Sequence, residues 1–204
     1  MYTPRSFRFT NQKEILAFMQ QYSFATIINA KEGIPIATHL PFVVEQIDDS
    51  IFISSHFAKA NEQIEVLENT TSLIIFSEPH AYISPNHYDR NENVPTWDYI
   101  TVHAYGKAKI ISDIASKQKA IEKTIAFYEK DYKAQWDGLP ERFKNGMLNG
   151  IVAFEIEITE LQGQKKLSQN KTANEQKKII EHLTSSDSEV EQALGVYMKK
   201  DIAE

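Results

Sequence analysis

The chain has 204 residues, 42% hydrophobic and 25% charged, which is the composition of an ordinary globular fold and not of a disordered chain. It has no cysteine, so disulfides, thiolate nucleophiles, iron–sulfur clusters and cysteine zinc sites are excluded. The formal net charge of −6 removes the simplest argument for nucleic-acid binding. No apolar run approaches the ~20 residues of a membrane span and the opening residues lack a signal-peptide core, so the expectation is a cytoplasmic protein with no membrane partner.

In chain order, Asn11 and Glu14 have capping-box spacing, and Ile15, Phe18 and Met19 predict a short amphipathic helix to Gln21. A strand is expected over residues 24–29, a turn around 31–33, and a second strand over 34–44 with Pro41 at a sheet edge or bulge. A third strand is read over 51–54 behind a turn at 48–50, a helix over 58–67, and a short strand over 72–76. Residues 78–98, rich in Pro, Asn, His and Tyr, read as a long loop.

Residues 100–111 alternate as a strand whose Ala104, Gly106 and Ala108 form a face small enough to admit another backbone or a flat ring. Helices are expected over 114–132 and over 140–148, the latter with Pro140 in its first turn. The strand over 151–161 is the clearest, with Phe154, Ile156 and Ile158 facing inward. After a lysine-rich loop come two helical segments, the second opened by Ser188 and Glu191. Strands with mostly tight connections, broken by internal helices, predict a mainly β protein with flanking helices (α+β) and an antiparallel barrel, closed or half-closed.

Several chemistries find no support. There is no Gly-x-Ser-x-Gly elbow, and the 7 glycines form neither a Gly-x-Gly-x-x-Gly nor a P-loop. The spacings of the 6 histidines match no standard metal site, so they read as hydrogen-bonding residues and no metal is expected.

The informative segment is residues 53–61. Ser54 and Ser55 at a strand end, then His56, Lys59 and Asn61, make an anion site if a helix begins there, with backbone N–H groups adding donors. The plainer alternative is that Ser55 caps that helix. Residues 79–85 and 94–99 gather Tyr82 and Trp97 with hydrogen-bonding residues, which would wall a planar ring or merely pack a loop. Residues 163–178 carry five lysines against one acid, Glu175. That run would serve a phosphate, an acidic partner or nucleic acid, or be a solvated face.

Six blocks in order resemble the PaiB family. They are Met1-Tyr2-Thr3-Pro4, Ala37-Thr38-His39-Leu40-Pro41, Ser55-His56-Phe57-Ala58-Lys59-Ala60-Asn61, Pro79-His80-Ala81-Tyr82-Ile83-Ser84-Pro85, Val94-Pro95-Thr96-Trp97-Asp98-Tyr99 and Lys166-Leu167-Ser168-Gln169-Asn170. Members are described as FMN-binding negative transcriptional regulators of the split β-barrel flavin superfamily, similar to pyridoxamine phosphate oxidases. The resemblance implies a split-barrel flavin domain over residues 1–170, a helical appendage over 171–204, and a homodimer with FMN at its interface. It also implies cofactor-binding roles for Thr38, His39, Leu40, Ser54, Ser55, His56, Lys59, Asn61, Trp97, Ser168 and Gln169, with Ser55 and Lys59 at the flavin phosphate.

Three functions remain open: a flavin-dependent oxidoreductase or sensor, a repressor that touches DNA directly, and a flavin-free interaction module. The charge of the chain argues against direct DNA contact. All four arginines, Arg5, Arg8, Arg90 and Arg142, lie outside the C-terminal helix pair, and arginine is the commonest reader of guanine.

Overall fold

The computed structural model describes residues 1–203. Its strands are β1 (Arg8–Phe9), β2 (Phe24–Lys31), β3 (Ile34–Pro41), β4 (Val43–Ile47), β5 (Ser50–Ala58), β6 (Thr71–Ile83), β7 (Thr96–Ile111) and β8 (Ile151–Lys166). Its helices are α1 (Gln12–Gln21), α2 (Ile64–Leu67), α3 (Ile114–Tyr128), α4 (Tyr132–Gly138), α5 (Glu141–Asn149), α6 (Ala173–Thr184) and α7 (Glu189–Ala203). The strands are hydrogen-bonded in the order β3-β2-β6-β7-β8-β5-β4, with β1 pairing on β8. None of the described helices is long and apolar enough to cross a membrane.

The chain forms two compact units. The larger comprises Gln12–Phe76 and His103–Leu161; the smaller comprises Met1–Asn11, Ser77–Val102 and the chain from Gln162 onward.

In the larger unit two tight hairpins set the register. Glu32 and Gly33, at φ 53° and 81°, turn β2 into β3 with Lys31 opposite Ile34, the positive-φ pair that a two-residue hairpin requires. Asp48, at φ 52°, does the same between β4 and β5, with Ile47 opposite Ser50. Pro41 ends β3, a terminal strand of the sheet, which agrees with its missing donor. The core is aromatic: Phe57 stacks on Phe154 at 5.0 Å, and Phe42 meets Phe76 and Phe154 edge-on at 6.2 and 6.4 Å. Helix α1 buries Ile15, Phe18 and Met19 as its spacing predicts.

The small-residue face of β7 is filled by the chain itself. A Cβ on Gly106 would lie 2.2 Å from the Glu157 carbonyl oxygen and 2.5 Å from Ile156 Cγ2. The backbone that approaches this face closely is therefore β8.

In the smaller unit α6 opens on a capping box. Thr172 Oγ1 accepts from Glu175 N, while Glu175 returns to Thr172 N at 3.0 Å. Glu175 also accepts from Asp89 N at 3.0 Å, which ties the helix start to the segment before β7. Ile179, Ile180 and Leu183 of α6 and Leu194 and Met198 of α7 form the apolar seam of the helix pair.

The helix read over 114–132 ends at Tyr128, where Glu129 leaves helical geometry at φ −153°, and Tyr132–Gly138 form the separate α4. The strand read over 34–44 breaks at Phe42 into β3 and β4. Two further expectations change near the candidate site. The helix read over 58–67 contracts to Ile64–Leu67, and β5 runs on to Ala58. Ile53, Ser55 and Phe57 are buried in a strand flanked by β4 and β8, and the hydroxyls disguise that alternation as a strand end. The long loop over 78–98 also contracts, because β6 continues to Ile83 and β7 starts at Thr96. In Pro79–Ile83, Pro79, Ala81 and Ile83 are buried while His80 and Tyr82 are exposed. This is a strand alternation that proline and histidine conceal.

Candidate functional site

A cavity of about 400 Å³ opens in the larger unit, lined by Ile36, Ala37, Thr38, Ala60, Asn61, Glu62 and Gln63. Two sequence-local devices build it. On β3, Ile36 and Thr38 share a face by strand alternation. After β5, Asn61 closes a turn: its N–H donates to the Ala58 carbonyl at 2.9 Å, and its Oδ1 accepts from Gln63 N at 2.9 Å, an Asx turn. Asn61 Nδ2 donates to Thr38 Oγ1 at 3.1 Å, and Thr38 Oγ1 donates to Gln63 Oε1 at 2.8 Å.

Behind this wall lies a buried amide relay. Gln63 Nε2 donates to Asn29 Oδ1 at 2.7 Å and to the Ile27 carbonyl at 3.2 Å. Asn29 Nδ2 donates to Thr70 Oγ1 and Ser72 Oγ, each at 2.9 Å. Gln63, Asn29 and Ser72 are almost wholly buried, and buried amides of this kind are stable only when satisfied.

Of the residues read as cofactor-binding, the cavity brings Thr38 and Asn61 together. His39 points to the opposite face of β3, where Nδ1 lies 2.8 Å from Thr26 Oγ1 and the ring stacks on Phe24 at 6.4 Å. Leu40 is half-buried on the Thr38 face, opposite Ala25. Ser54, Ser55 and His56 lie inside β5 against Ala120, Ile121 and Thr124 of α3. Ser55 Oγ donates to the Pro41 carbonyl at 2.7 Å, so it caps no helix and binds β5 to the end of β3. Burial pushes the His56 imidazole below its usual range. The Lys59 side chain is exposed, while its N–H donates to the Gly150 carbonyl at 2.9 Å.

Trp97, Ser168 and Gln169 belong to the smaller unit. There Ser168 Oγ donates to Asp98 Oδ2 at 2.6 Å, and Asp98 and Ser168 are both buried. Lys166 Nζ donates to Thr96 Oγ1, the Trp97 carbonyl and Asp98 Oδ1. Burial pushes the Asp98 carboxyl up, against the pull of Ser168 and Lys166. Gln169 folds back on its own strand end, accepting from Leu167 N at 2.7 Å and donating to the Lys165 carbonyl at 2.6 Å. Trp97 is half-exposed and meets His80 and Tyr82 edge-on at 5.3 and 6.3 Å.

The lysine run over residues 163–178 is not a free basic patch. Lys165 pairs with Asp201 at 2.5 Å, Lys178 with Asp89 at 2.8 Å and Lys177 with Glu181 at 3.9 Å. Lys166 is held as above. Lys171 donates to Asn93 at 3.1 Å and lies 3.7 Å from the Tyr88 ring centroid, a cation–π contact.

Sequence reasoning missed Gln63, Asn29 and Asp98. Two of them leave a signal: Asn29 falls in phase with Ala25 and Ile27, and Asp98 with Ile100 and Val102. A polar residue on the apolar phase of a strand is buried and therefore partnered. Gln63 leaves no such signal beyond its place two residues after Asn61.

The chain matches, over residues 1–160, the family model described as "Putative FMN-binding domain". Among curated proteins it is similar to "Protease synthase and sporulation protein PAI 2" of Bacillus subtilis (strain 168), 41% identical over 193 residues that cover 92% of this chain and 91% of that one. Among solved structures it resembles the flavocytochrome Anf3 from Azotobacter vinelandii, with TM-score 0.65 at 15% identity over 80% of this chain and 72% of that one. It also resembles the FAD and heme binding protein from Mycobacterium smegmatis, with TM-score 0.63 at 13% identity over 83% and 78% of the two chains. The fold is thus the flavin-binding split barrel, and the chain belongs to the PaiB-type FMN-binding family.

Proposed function

We propose that FMN occupies the cavity at Thr38 and Asn61, and that the protein works in the cytoplasm as a homodimeric flavin-dependent redox or sensing protein. The observation that carries this reading is the cavity's polar wall, held by a buried and satisfied amide relay. Its volume of about 400 Å³ lies within the range of small-molecule sites.

The residues fit the group. Asn61 Nδ2 has a second proton free for a phosphate or ring oxygen, Thr38 Oγ1 has a free lone pair, and Ile36 and Ala37 offer apolar surface. Lys59 stands exposed two residues before Asn61 as a cation for the phosphate, offset in part by Glu62 on the lining. When bound, FMN supplies hydride and single-electron transfer. The chain's own part is to orient the ligand through Thr38 and Asn61 and to wall it with β3. Leu40, His39, Ser54, Ser55, His56, Trp97, Ser168 and Gln169 remain assigned to the cofactor on the family resemblance alone.

The homodimer is supported by apolar side chains that stay exposed on each unit: Phe24 and Ile34 at 69% and 67% on the larger, Tyr82 and Trp97 at 50% and 53% on the smaller. The Bacillus relative is named as a sporulation protein, and a regulatory role is proposed here by that likeness. The pairing of the lysines over 163–178 favours an indirect route over direct DNA contact.

The test is an absorbance spectrum of the purified protein, followed by titration with FMN monitored by flavin fluorescence. A flavin spectrum, or saturable binding at micromolar or lower concentration, is the expected outcome. A colourless protein that leaves FMN fluorescence unchanged would remove the reading.

A further inference from the structure

We infer that Thr38 meets its ligand as a hydrogen-bond acceptor and not as a donor, and that Gln63 is the positioning residue that makes it so. This rests on the reading that a flavin occupies the cavity. It identifies which part of the ligand faces Thr38.

The groups that can only accept or only donate fix every proton in the relay. A backbone carbonyl can only accept, so Ile27 O requires the nitrogen of the Gln63 side-chain amide to face it, at 3.2 Å. That nitrogen's other proton goes to Asn29 Oδ1 at 2.7 Å. Asn29 Oδ1 is thereby an acceptor, and both Nδ2 protons go to Thr70 Oγ1 and Ser72 Oγ. The relay closes on a second carbonyl, because Thr70 Oγ1 donates to Val66 O at 2.9 Å. With both ends anchored, Gln63 Oε1 is an acceptor, and the only proton Thr38 Oγ1 owns is given to it.

Asn61 is oriented independently. The Gln63 N–H can only donate, and it points at Asn61 Oδ1, so Asn61 Nδ2 faces Thr38 and donates to it. Thr38 Oγ1 therefore donates once, accepts once, and has one lone pair left. Asn61 Nδ2 has one proton left. The cavity wall thus presents an acceptor at Thr38 beside a donor at Asn61.

A phosphate, whose oxygens at neutral pH are chiefly acceptors, is repelled by the first and suited to the second. The ligand group against Thr38 must carry a proton, and in a flavin the candidates are a ribityl hydroxyl or the ring N–H. The phosphate lies away from Thr38, with Asn61 and Lys59 as the donors for it. Gln63 touches no ligand in this scheme. It acts by consuming the Thr38 proton and by holding Asn61 through its backbone.

FMN and riboflavin share the ring and the ribityl chain and differ in the phosphate, so the pair reads the assignment. Thr38→Val should weaken both by the same factor, about fivefold for one lost hydrogen bond, and Thr38→Ser should restore both. In a double-mutant cycle with Gln63→Leu, the effect of the further Thr38→Val change on riboflavin should shrink, since the hydroxyl is no longer oriented. Urea denaturation of each variant separates this coupling from a loss of fold. If Gln63→Leu does not fold, the Thr38 pair still decides whether Thr38 meets the part that the two flavins share or the phosphate, and Gln63→Glu, which keeps the acceptor at Oε1, replaces the leucine variant in the cycle. Weakening of FMN alone by Thr38→Val would place the phosphate at Thr38 and overturn the inference. So would unchanged binding of both ligands, while leaving the flavin reading intact, and additive Gln63 and Thr38 effects would remove the role of Gln63. A wild-type chain that binds neither ligand sinks the flavin reading and this inference together.

Discussion

Ser168 and Asp98 are joined by a 2.6 Å hydrogen bond although 70 positions separate them, and both are buried. The bond pins the end of β8 to the start of β7. It also supplies a donor to a buried carboxylate, which the Ser168 backbone N–H and Lys166, at 3.5 Å, help to satisfy. Ser168→Ala should therefore destabilise the protein by about 1–3 kcal/mol, the cost of leaving a buried acceptor short of a partner. Asp98→Asn should cost less than Asp98→Ala, because it keeps the shape and removes the buried charge. Urea denaturation at neutral pH reads both comparisons. Equal stability of wild type and Ser168→Ala would mean that water supplies the missing donor.

Gly106 offers a sharper steric test. Its Cα faces the Glu157 carbonyl and Ile156 so closely that a methyl group would sit at 2.2 and 2.5 Å from them. One contact is backbone, which cannot swing aside. Gly106→Ala should lower stability by about 1–3 kcal/mol through overpacking of β7 on β8, visible as a fall in Tm. An unchanged Tm would show that the two strands can separate there.

Lys59→Ala should weaken FMN by about 1–2 kcal/mol and leave riboflavin nearly unchanged. The bound is modest because the side chain is exposed and water screens its charge. Parallel fluorescence titrations of the two flavins decide it. A loss shared equally between them would assign Lys59 to structure and not to the phosphate.

Burial pushes the imidazoles of His56 and His103 below their usual range. The unfolded chain then takes up protons below about pH 6.5 while the folded one resists. The stability tied to these groups is present in full above that pH and is lost as the pH falls through their lower folded values. Denaturation midpoints should therefore drop between about pH 7.5 and 5.5, and His56→Gln should flatten part of that slope. An identical slope in the variant would show that His56 titrates normally.

Direct, sequence-specific DNA binding is not expected of the isolated protein. Each lysine of the 163–178 run is engaged by Asp201, Asp98, Asn93, Glu181 or Asp89, and the chain carries −6 overall. Phosphate neutralisation needs several free cations. A mobility-shift titration near physiological salt should show no nanomolar complex in the presence of competitor. A complex that does form, and that is lost when residues 171–204 are removed, would restore the repressor reading.

The residues that decide the site were partly legible in the chain. Thr38 and Asn61 stand out by their place in the family's blocks, and the cavity contains both. Ser55 stands in the same blocks, but its hydroxyl is spent on the Pro41 carbonyl. A motif records which residues occur together, not where their protons go. The Ala104–Gly106–Ala108 face shows the same division: the close approach it permits does occur, but with β8 of the same chain.

The sequence by itself determined the class of fold, the hairpin turns at Glu32–Gly33 and Asp48, the apolar stripe of α1 and the absence of cysteine chemistry. These follow from local rules, because period-2 burial, positive-φ turns and helix spacing act over a few residues. Only the tertiary structure decided that Ser54–His56 lie in the middle of a strand, that Asp98 is answered by Ser168 and Lys166, and that Gln63 governs Thr38. Such pairings join residues 25 to 70 positions apart. Sheet order brings them together, and burial then obliges each polar group to find its partner.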